Sequence, residues 1–216
     1  ILLKRVSFFL AGALLLGLSI VPAQAQQRGG VLKFATPSVK PGLDPARTRT
    51  GDAYMLTALI FSNLTRISHE LKPEPQLAHK WEPNSDSSEW TFYLRKDAKF
   101  HNGRAVVASD VKFSIDRILD PKTGSKGRKA LGPIKEIVVK DDHTVEFKLK
   151  GPYADLALQL GNTFSRIIAK ENLADIANKP IGSGPFKLKE YVPGNKAIVV
   201  RNPDYFEKGL PYLDEV

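Results

Sequence analysis

The chain has 216 residues, 32 basic against 23 acidic, and no cysteine. Without cysteine it forms neither disulfides nor thiolate metal sites, and it carries no anchor acylated at a cysteine. Its formal charge of +9 invites nucleic acid, yet the basic residues are scattered. The densest stretch, Lys122, Lys126, Arg128 and Lys129, sits among Thr123, Gly124, Ser125 and Gly127 and reads as a solvated loop.

Residues 1–25 read as an export signal. Lys4 and Arg5 form a basic start, Phe8 to Val21 is almost unbroken apolar sequence, and Pro22-Ala23-Gln24-Ala25 supplies a small-residue cleavage site. The apolar run spans roughly 21 Å as a helix, short of a hydrocarbon core of about 30 Å. Cleavage after Ala25 is therefore expected, giving a periplasmic protein without a nucleic-acid partner. Without Lys4 and Arg5 the balance is 30 basic against 23 acidic residues, or +7.

Val31 to Ala35 reads as a first strand that stops at Thr36-Pro37, and Pro41 to Pro45 as a loop. Asp52 is expected to cap a helix from about Ala53, with Met55, Leu56, Leu59, Ile60 and Leu64 as its buried stripe. Short strands follow. Trp90, Phe92 and Leu94 alternate with Thr91, Tyr93 and Arg95, and Asn84 to Ser88 is a turn that pairs the Trp81 and Trp90 strands. Asn102-Gly103 predicts a tight turn, and 109–119 a helix with Val111, Ile115, Ile118 and Leu119 inward, ended by Pro121. Lys135 to Lys150 reads as a hairpin around Asp141-Asp142-His143. Ala154 to Leu160 and Glu171 to Ala177 are short helix candidates. Phe186 to Tyr191 and Ala197 to Arg201 form a last hairpin around Pro193-Gly194-Asn195. This mixture is α/β or α+β; periodicity does not decide.

No G-x-S-x-G, H-E-x-x-H, P-loop or G-x-G-x-x-G occurs. His69, His79, His101 and His143 lack metal-ligand spacing and read as surface or turn residues. Asp141 and Asp142 fall in a turn exposed to water, where acid–base poise is not expected. No catalytic constellation, metal site or cofactor is expected, so the chain does not read as an enzyme.

Three stretches carry a resemblance. They are Pro75-Gln76-Leu77-Ala78-His79-Lys80-Trp81-Glu82; the run from Trp90 to Gly103 with Ala108 to Arg117; and Pro180-Ile181-Gly182-Ser183-Gly184-Pro185-Phe186 with Arg201 to Phe206 and Pro211 to Asp214. In this order they resemble the family 5 extracellular solute-binding proteins of ABC importers, the dipeptide, oligopeptide and nickel-binding group. The residues also have plain roles: Arg95 is available to an acid, Asp110 suits the positive end of a helix, and Gly182 and Gly184 allow a path that β-carbons would obstruct. The family tends to place Thr where Val107 stands. Either Ser109 caps a helix that starts later, or this end is weaker by about 1 kcal/mol.

The resemblance implies a periplasmic binding protein type II-like α/β fold, two lobes closing on a ligand, with this chain an amino-terminal fragment. Residues 31–65 and 180–205 would belong to the first lobe's central sheet and 66–170 to an inserted strand-rich subdomain, with the second lobe absent. It implies a peptide ligand, an inner-membrane permease as partner, and a monomer. Thr36, Pro37, Tyr54, Asn162, Thr163 and Phe164 are the candidate ligand contacts, against the plainer alternative that Phe164 is core and Asn162 a turn residue. Other functions left open are a carrier of nickel chelates, opines or oligosaccharides, an exported enzyme, and a non-transport interaction module.

Overall fold

The computed structural model describes residues 28–36 and 42–216. The predicted export signal and Pro37 lie outside the described residues. Helix α1 spans Gly51–Ile60; short strands β1 (Thr65–Ile67) and β2 (Pro73–Pro75) pair antiparallel. A four-stranded antiparallel sheet follows, in the order β3 (Ala78–Pro83), β4 (Glu89–Leu94), β6 (Thr144–Leu149), β5 (Ile134–Asp141). Helix α2 (Ala108–Leu119) and the one-turn α3 (Gly127–Ala130) lie between β4 and β5 in the chain; α4 (Leu156–Gln159) is also one turn. The hairpin β7 (Phe186–Val192) and β8 (Lys196–Arg201) completes the set.

Alternation builds the larger core. Trp90, Phe92 and Leu94 of β4 are buried with Val145, Phe147 and Leu149 of β6, and Val111, Ile115 and Ile118 of α2 join the same cluster. Trp81 lies opposite Phe92 across the β3–β4 pair and stacks on it at 6.2 Å, while Phe147 meets Phe92 edge-on at 5.4 Å. Such ring pairs add to the area that burial removes from water. The predicted 135–150 hairpin is present: Asp141 Oδ1 accepts the His143 amide at 2.7 Å to close its turn. Gly103 takes φ +88°, as the predicted Asn102-Gly103 turn requires.

A second core gathers Leu43, Ile60 and Phe61 with Ile168, Ile176, Phe186 and Val199. The predicted last hairpin lies here. Residues 214–216 run along β8, with Val199 and Val216 exchanging both backbone bonds at 2.9 Å.

Several sequence expectations need correction. Thr50, not Asp52, occupies the helix N-cap, and the expected stripe is broken because Met55 is 53% exposed. The helix stops at Ile60, so Leu64 reaches the larger core from extended chain instead. Residues 31–35 make only one bridge, Val31 with Glu215, and leave Val31, Leu32 and Phe34 about half exposed. The candidate helix over 154–160 shortens to α4, and that over 171–177 to a 3₁₀ turn at Lys170–Asn172 followed by turns. Leu119 is only half-buried, and the basic loop contains α3.

Helix α2 begins at Ala108 with Val107 as N-cap, which removes the alternative of Ser109 capping a later start. Asp110 closes its half of the capping arrangement by accepting the Val107 amide at 3.0 Å. The Asp110 carboxylate also receives a bidentate Arg104 at 2.9 and 2.8 Å. Val107 has no side-chain oxygen to return the bond, and its backbone carbonyl accepts the Asp110 amide at 2.9 Å instead. Arg95, expected to meet an acid, pairs with Asp97 and also donates to the Phe206 carbonyl at 3.0 Å.

His101 corrects its reading as a surface or turn side chain. Its ring is largely buried against the Gly182-Ser183-Gly184 loop. The Gly182 amide donates to Nδ1 at 3.3 Å, which leaves the ring proton on Nε2 to be donated to the Gly184 carbonyl at 3.1 Å. The His101 amide also donates to the Gly182 carbonyl at 2.7 Å. On its other side the loop meets the end of α1, where the Gly184 amide donates to the Ile60 carbonyl at 2.8 Å. A Cβ on Gly182 would lie inside the van der Waals shell of the Ile60 oxygen; one on Gly184 would lie 2.5 Å from the Leu59 oxygen.

Three measurements test these contacts. Gly182→Ala is expected to destabilise the protein by about 3 kcal/mol in urea unfolding, because a backbone oxygen cannot rotate away as a side chain can. Gly151→Ala, with open space around its Cβ, stays within about 0.5 kcal/mol of the parent. Val107→Thr raises the melting temperature, adding about 1 kcal/mol through the missing cap. Burial pushes His101 down to about 4 from the ordinary 6.5, against the bond to the Gly184 carbonyl that favours its charge. Between those values the unfolded chain binds the proton and the folded one does not. Stability is therefore full above about pH 6.5 and falls as the pH drops towards 4, on the order of 3 kcal/mol in all. Urea midpoints across that range, with His101→Asn lacking this part of the slope, check the sign.

Candidate functional site

The stretch 161–169 runs between the extended residues after α1 and helix α2. Its backbone is held on both sides. The Ile167 amide donates to the Ser62 carbonyl at 2.9 Å and the Ile168 amide to Ser114 Oγ on α2 at 2.9 Å. Asn63 Nδ2 donates to the Asn162 carbonyl at 2.8 Å, and Ser165 Oγ to the Gln159 carbonyl at 2.8 Å. Ser165 to Ala169 are all buried.

Four of the six sequence-derived candidates meet here. Phe164 packs edge-on against Tyr54 of α1, with ring centroids 5.6 Å apart. The Tyr54 hydroxyl donates to the Thr48 carbonyl at 2.8 Å, so the pair presents aromatic surface. Burial pushes the Tyr54 phenol up, partly offset by nearby Arg49, and it stays protonated. Thr163 is exposed and donates to Asn162 Oδ1 at 3.1 Å. Phe164 is half-buried and lies outside both apolar clusters.

Thr36 lies elsewhere. It lines a cavity of about 450 Å³ between residues 31–36, the Asp52, Ala53, Leu56 and Leu59 side of α1, and residues 194–199 of the last hairpin. Tyr54 does not line that cavity. The six candidates thus divide into an aromatic and polar patch, a separate trough, and Pro37 outside the described residues.

Two residues beyond Phe164 stands a side chain the sequence reading passed over. Arg166 is 9% exposed, and its Nε is sealed from solvent with no hydrogen-bond partner. No described carboxylate pairs with it, and burial alone pushes its guanidinium down to about 10. Among the described residues the other buried charges are paired: Asp44 with Arg117, and Asp110 with Arg104. Asn63 Oδ1 and Ser183 Oγ are also buried without partners. Both residues neighbour the same crossing, since Ser62 takes the Ile167 amide and donates its hydroxyl to the Ser183 carbonyl at 3.1 Å. The available signal was a lone cation beside the apolar Ile167-Ile168-Ala169 run.

The geometry favours noncovalent recognition: an aromatic surface beside small polar groups and a buried cation. Among the described residues no three His, Asp or Glu side chains converge as metal ligands.

Comparison with known proteins places this geometry in a family. The chain is 31% identical over 218 residues to the dipeptide-binding protein of Escherichia coli, covering 87% of this chain and 41% of that one. It superimposes with a TM-score of 0.79 on the ABC transporter-associated periplasmic binding protein DppA from Helicobacter pylori in complex with peptide STSA. That match has 32% identity and covers 88% of this chain and 42% of the other. The binding protein AgaA from A. tumefacien, in complex with agropinic acid, gives 0.77 at 34% identity, covering 82% and 37%. The chain thus spans about two fifths of the length of these relatives and shares the α/β fold of periplasmic binding proteins over that length. The model of the bacterial extracellular solute-binding proteins, family 5 (middle), matches residues 72–216, and the chain belongs to that family.

Proposed function

We propose that this chain forms part of the periplasmic solute-binding component of an ABC importer, one that captures di- or oligopeptides and passes them unaltered to an inner-membrane permease. The observation that carries the reading is the superposition of most of the chain on a binding protein that holds a peptide. The Tyr54–Phe164 surface with Asn162 and Thr163 is one wall of the ligand cleft. The larger core, built mainly from residues 64–169, corresponds to the inserted subdomain. The smaller core, with β7, β8 and α1, corresponds to the lobe's central sheet. The protein is a monomer exported by its cleaved signal, with no nucleic-acid partner and no catalysis.

A second reading has its own support. The relative that holds agropinic acid is as similar in sequence as the peptide-bound one, which favours an opine or related acid as the solute.

Purified full-length protein, stripped of endogenous ligand, is expected to bind members of a di- and tripeptide library with micromolar or tighter affinity in calorimetry and to leave them uncleaved. Residues 28–216 alone are expected to bind at least about 100-fold more weakly, since one wall cannot exclude water from the ligand. Binding of agropinic acid without peptide binding would establish the second reading. Peptide turnover would overturn the noncovalent one.

A further inference from the structure

The basic stretch after α2 is pinned to the protein by its small residues and turns its cations to solvent. Ser125 and Gly127 are buried, while Lys126, Arg128 and Lys129 are exposed. The Gly127 amide donates to Ser125 Oγ at 3.1 Å. A Cβ on Gly127 would lie 2.6 Å from Phe164 Cβ and 3.1 Å from Ile118 Cγ2, so the backbone of α3 rests directly on Phe164 of the proposed ligand wall. From the other side Arg49 donates through Nη2 to the Gly124 carbonyl at 3.2 Å, which brings a fourth exposed cation to the same edge, beside Tyr54. Among the described residues Arg49, Lys126, Arg128 and Lys129 have no carboxylate partner, whereas the nearby Arg47, Lys112 and Arg117 each have one. Lys122 is set apart: it borders a groove with Asp44, Asp116 and Asp120, which offset its charge. Unpaired charge fixed along such an edge projects a positive potential over the adjoining Tyr54–Phe164 surface, to a range of roughly 10 Å at 0.1 M salt.

We propose that Arg49, Lys126, Arg128 and Lys129 form an electrostatic rim that steers solutes of net negative charge onto the Tyr54–Phe164 wall, so that the protein takes up acidic peptides faster than neutral or basic ones. This deepens the peptide reading and rests on it. The rim acts at long range on the whole charge of the solute and makes no direct contact with it. Its signature is therefore a salt-dependent association rate with an unaltered dissociation rate. An anionic membrane surface is the competing use of such a patch, and the experiment separates the two.

Association and dissociation rates are measured by stopped flow for full-length protein with tripeptides that are alike at both termini and carry aspartate, serine or lysine side chains. At about 20 mM salt the aspartate peptides are expected to associate at least about 10-fold faster than the lysine peptides, and the gap to close to within about 3-fold at about 0.5 M. In a variant carrying Lys126→Ser, Arg128→Ser and Lys129→Ser, the low-salt gap is expected to shrink to within about 3-fold. Its affinity for the serine peptides and all its dissociation rates stay within about 2-fold of the parent. Arg49 is left in place because it holds the Gly124 carbonyl, and the three exposed substitutions are expected to leave the melting temperature near that of the parent. The parent needs no variant to refute the assignment: association rates that ignore peptide charge, or that favour the lysine peptides, overturn it. A folded variant that keeps the full gap does the same. Retention of the parent but not the variant on vesicles of anionic phospholipid, with peptide rates independent of charge, gives the patch to a membrane instead. If the parent binds none of the peptides, the peptide reading itself fails, and the assignment with it.

Discussion

The fold turns on one close crossing, where the Gly182-Ser183-Gly184 loop is pressed between the end of α1 and the ring of His101. Backbone meets backbone there, with the Gly184 amide on the Ile60 carbonyl and the His101 amide on the Gly182 carbonyl. Asn202 adds a bond to the Gly184 carbonyl at 3.0 Å from a side chain that is itself buried. Glycine is required because the space a β-carbon needs is occupied by main-chain atoms of residues 59 and 60. The crossing joins the two cores. His101 follows Phe100 of the larger cluster, while Ile60, Phe61 and Phe186 belong to the smaller.

The same crossing explains where the candidate site lies. Once α1 ends at Ile60, the extended residues beyond it take up Ile167 through Ser62 and Asn162 through Asn63. Residues 162–168 are thereby stretched across the boundary of the two cores. A segment in that position cannot bury all its polar groups against its own elements. Arg166 within it and Asn63 and Ser183 beside it keep buried atoms with no partner among the described residues.

Electrostatics divides the chain in the same way. The scattered positive charge is spread over exposed lysines and arginines, and most of their ion pairs are surface contacts of small energetic weight. The pairs made by the buried carboxylates Asp44 and Asp110 are different. Arg117 ties the loop at Asp44 to α2, and Arg104 ties the Asn102-Gly103 turn to α2 through Asp110, with a further, exposed pair to Glu171 of the 3₁₀ turn. These contacts set the position of α2, and through Ser114 the position of the strip that carries Arg166.

Much of the architecture was legible in the residues themselves. Alternation around Trp90 and Phe147, the apolar spacing of α2, and the turns at Asn102-Gly103 and Asp141-His143 depend on neighbours close in the chain, so local chemistry determined them. The ordered Trp90-to-Arg117 and Pro180-to-Phe206 stretches determined the family. Tertiary structure decided the rest. The run 31–35 has strand composition but, among the described residues, makes a single bridge, Val31 with Glu215, closed by the Leu32 amide on the Glu215 carbonyl, because a strand exists only where a partner lies beside it. His101 looked like an ordinary surface or turn residue, and Arg166 drew no reading from the sequence. Their burial is set by segments about 80 and 100 residues away in sequence, which no local pattern encodes.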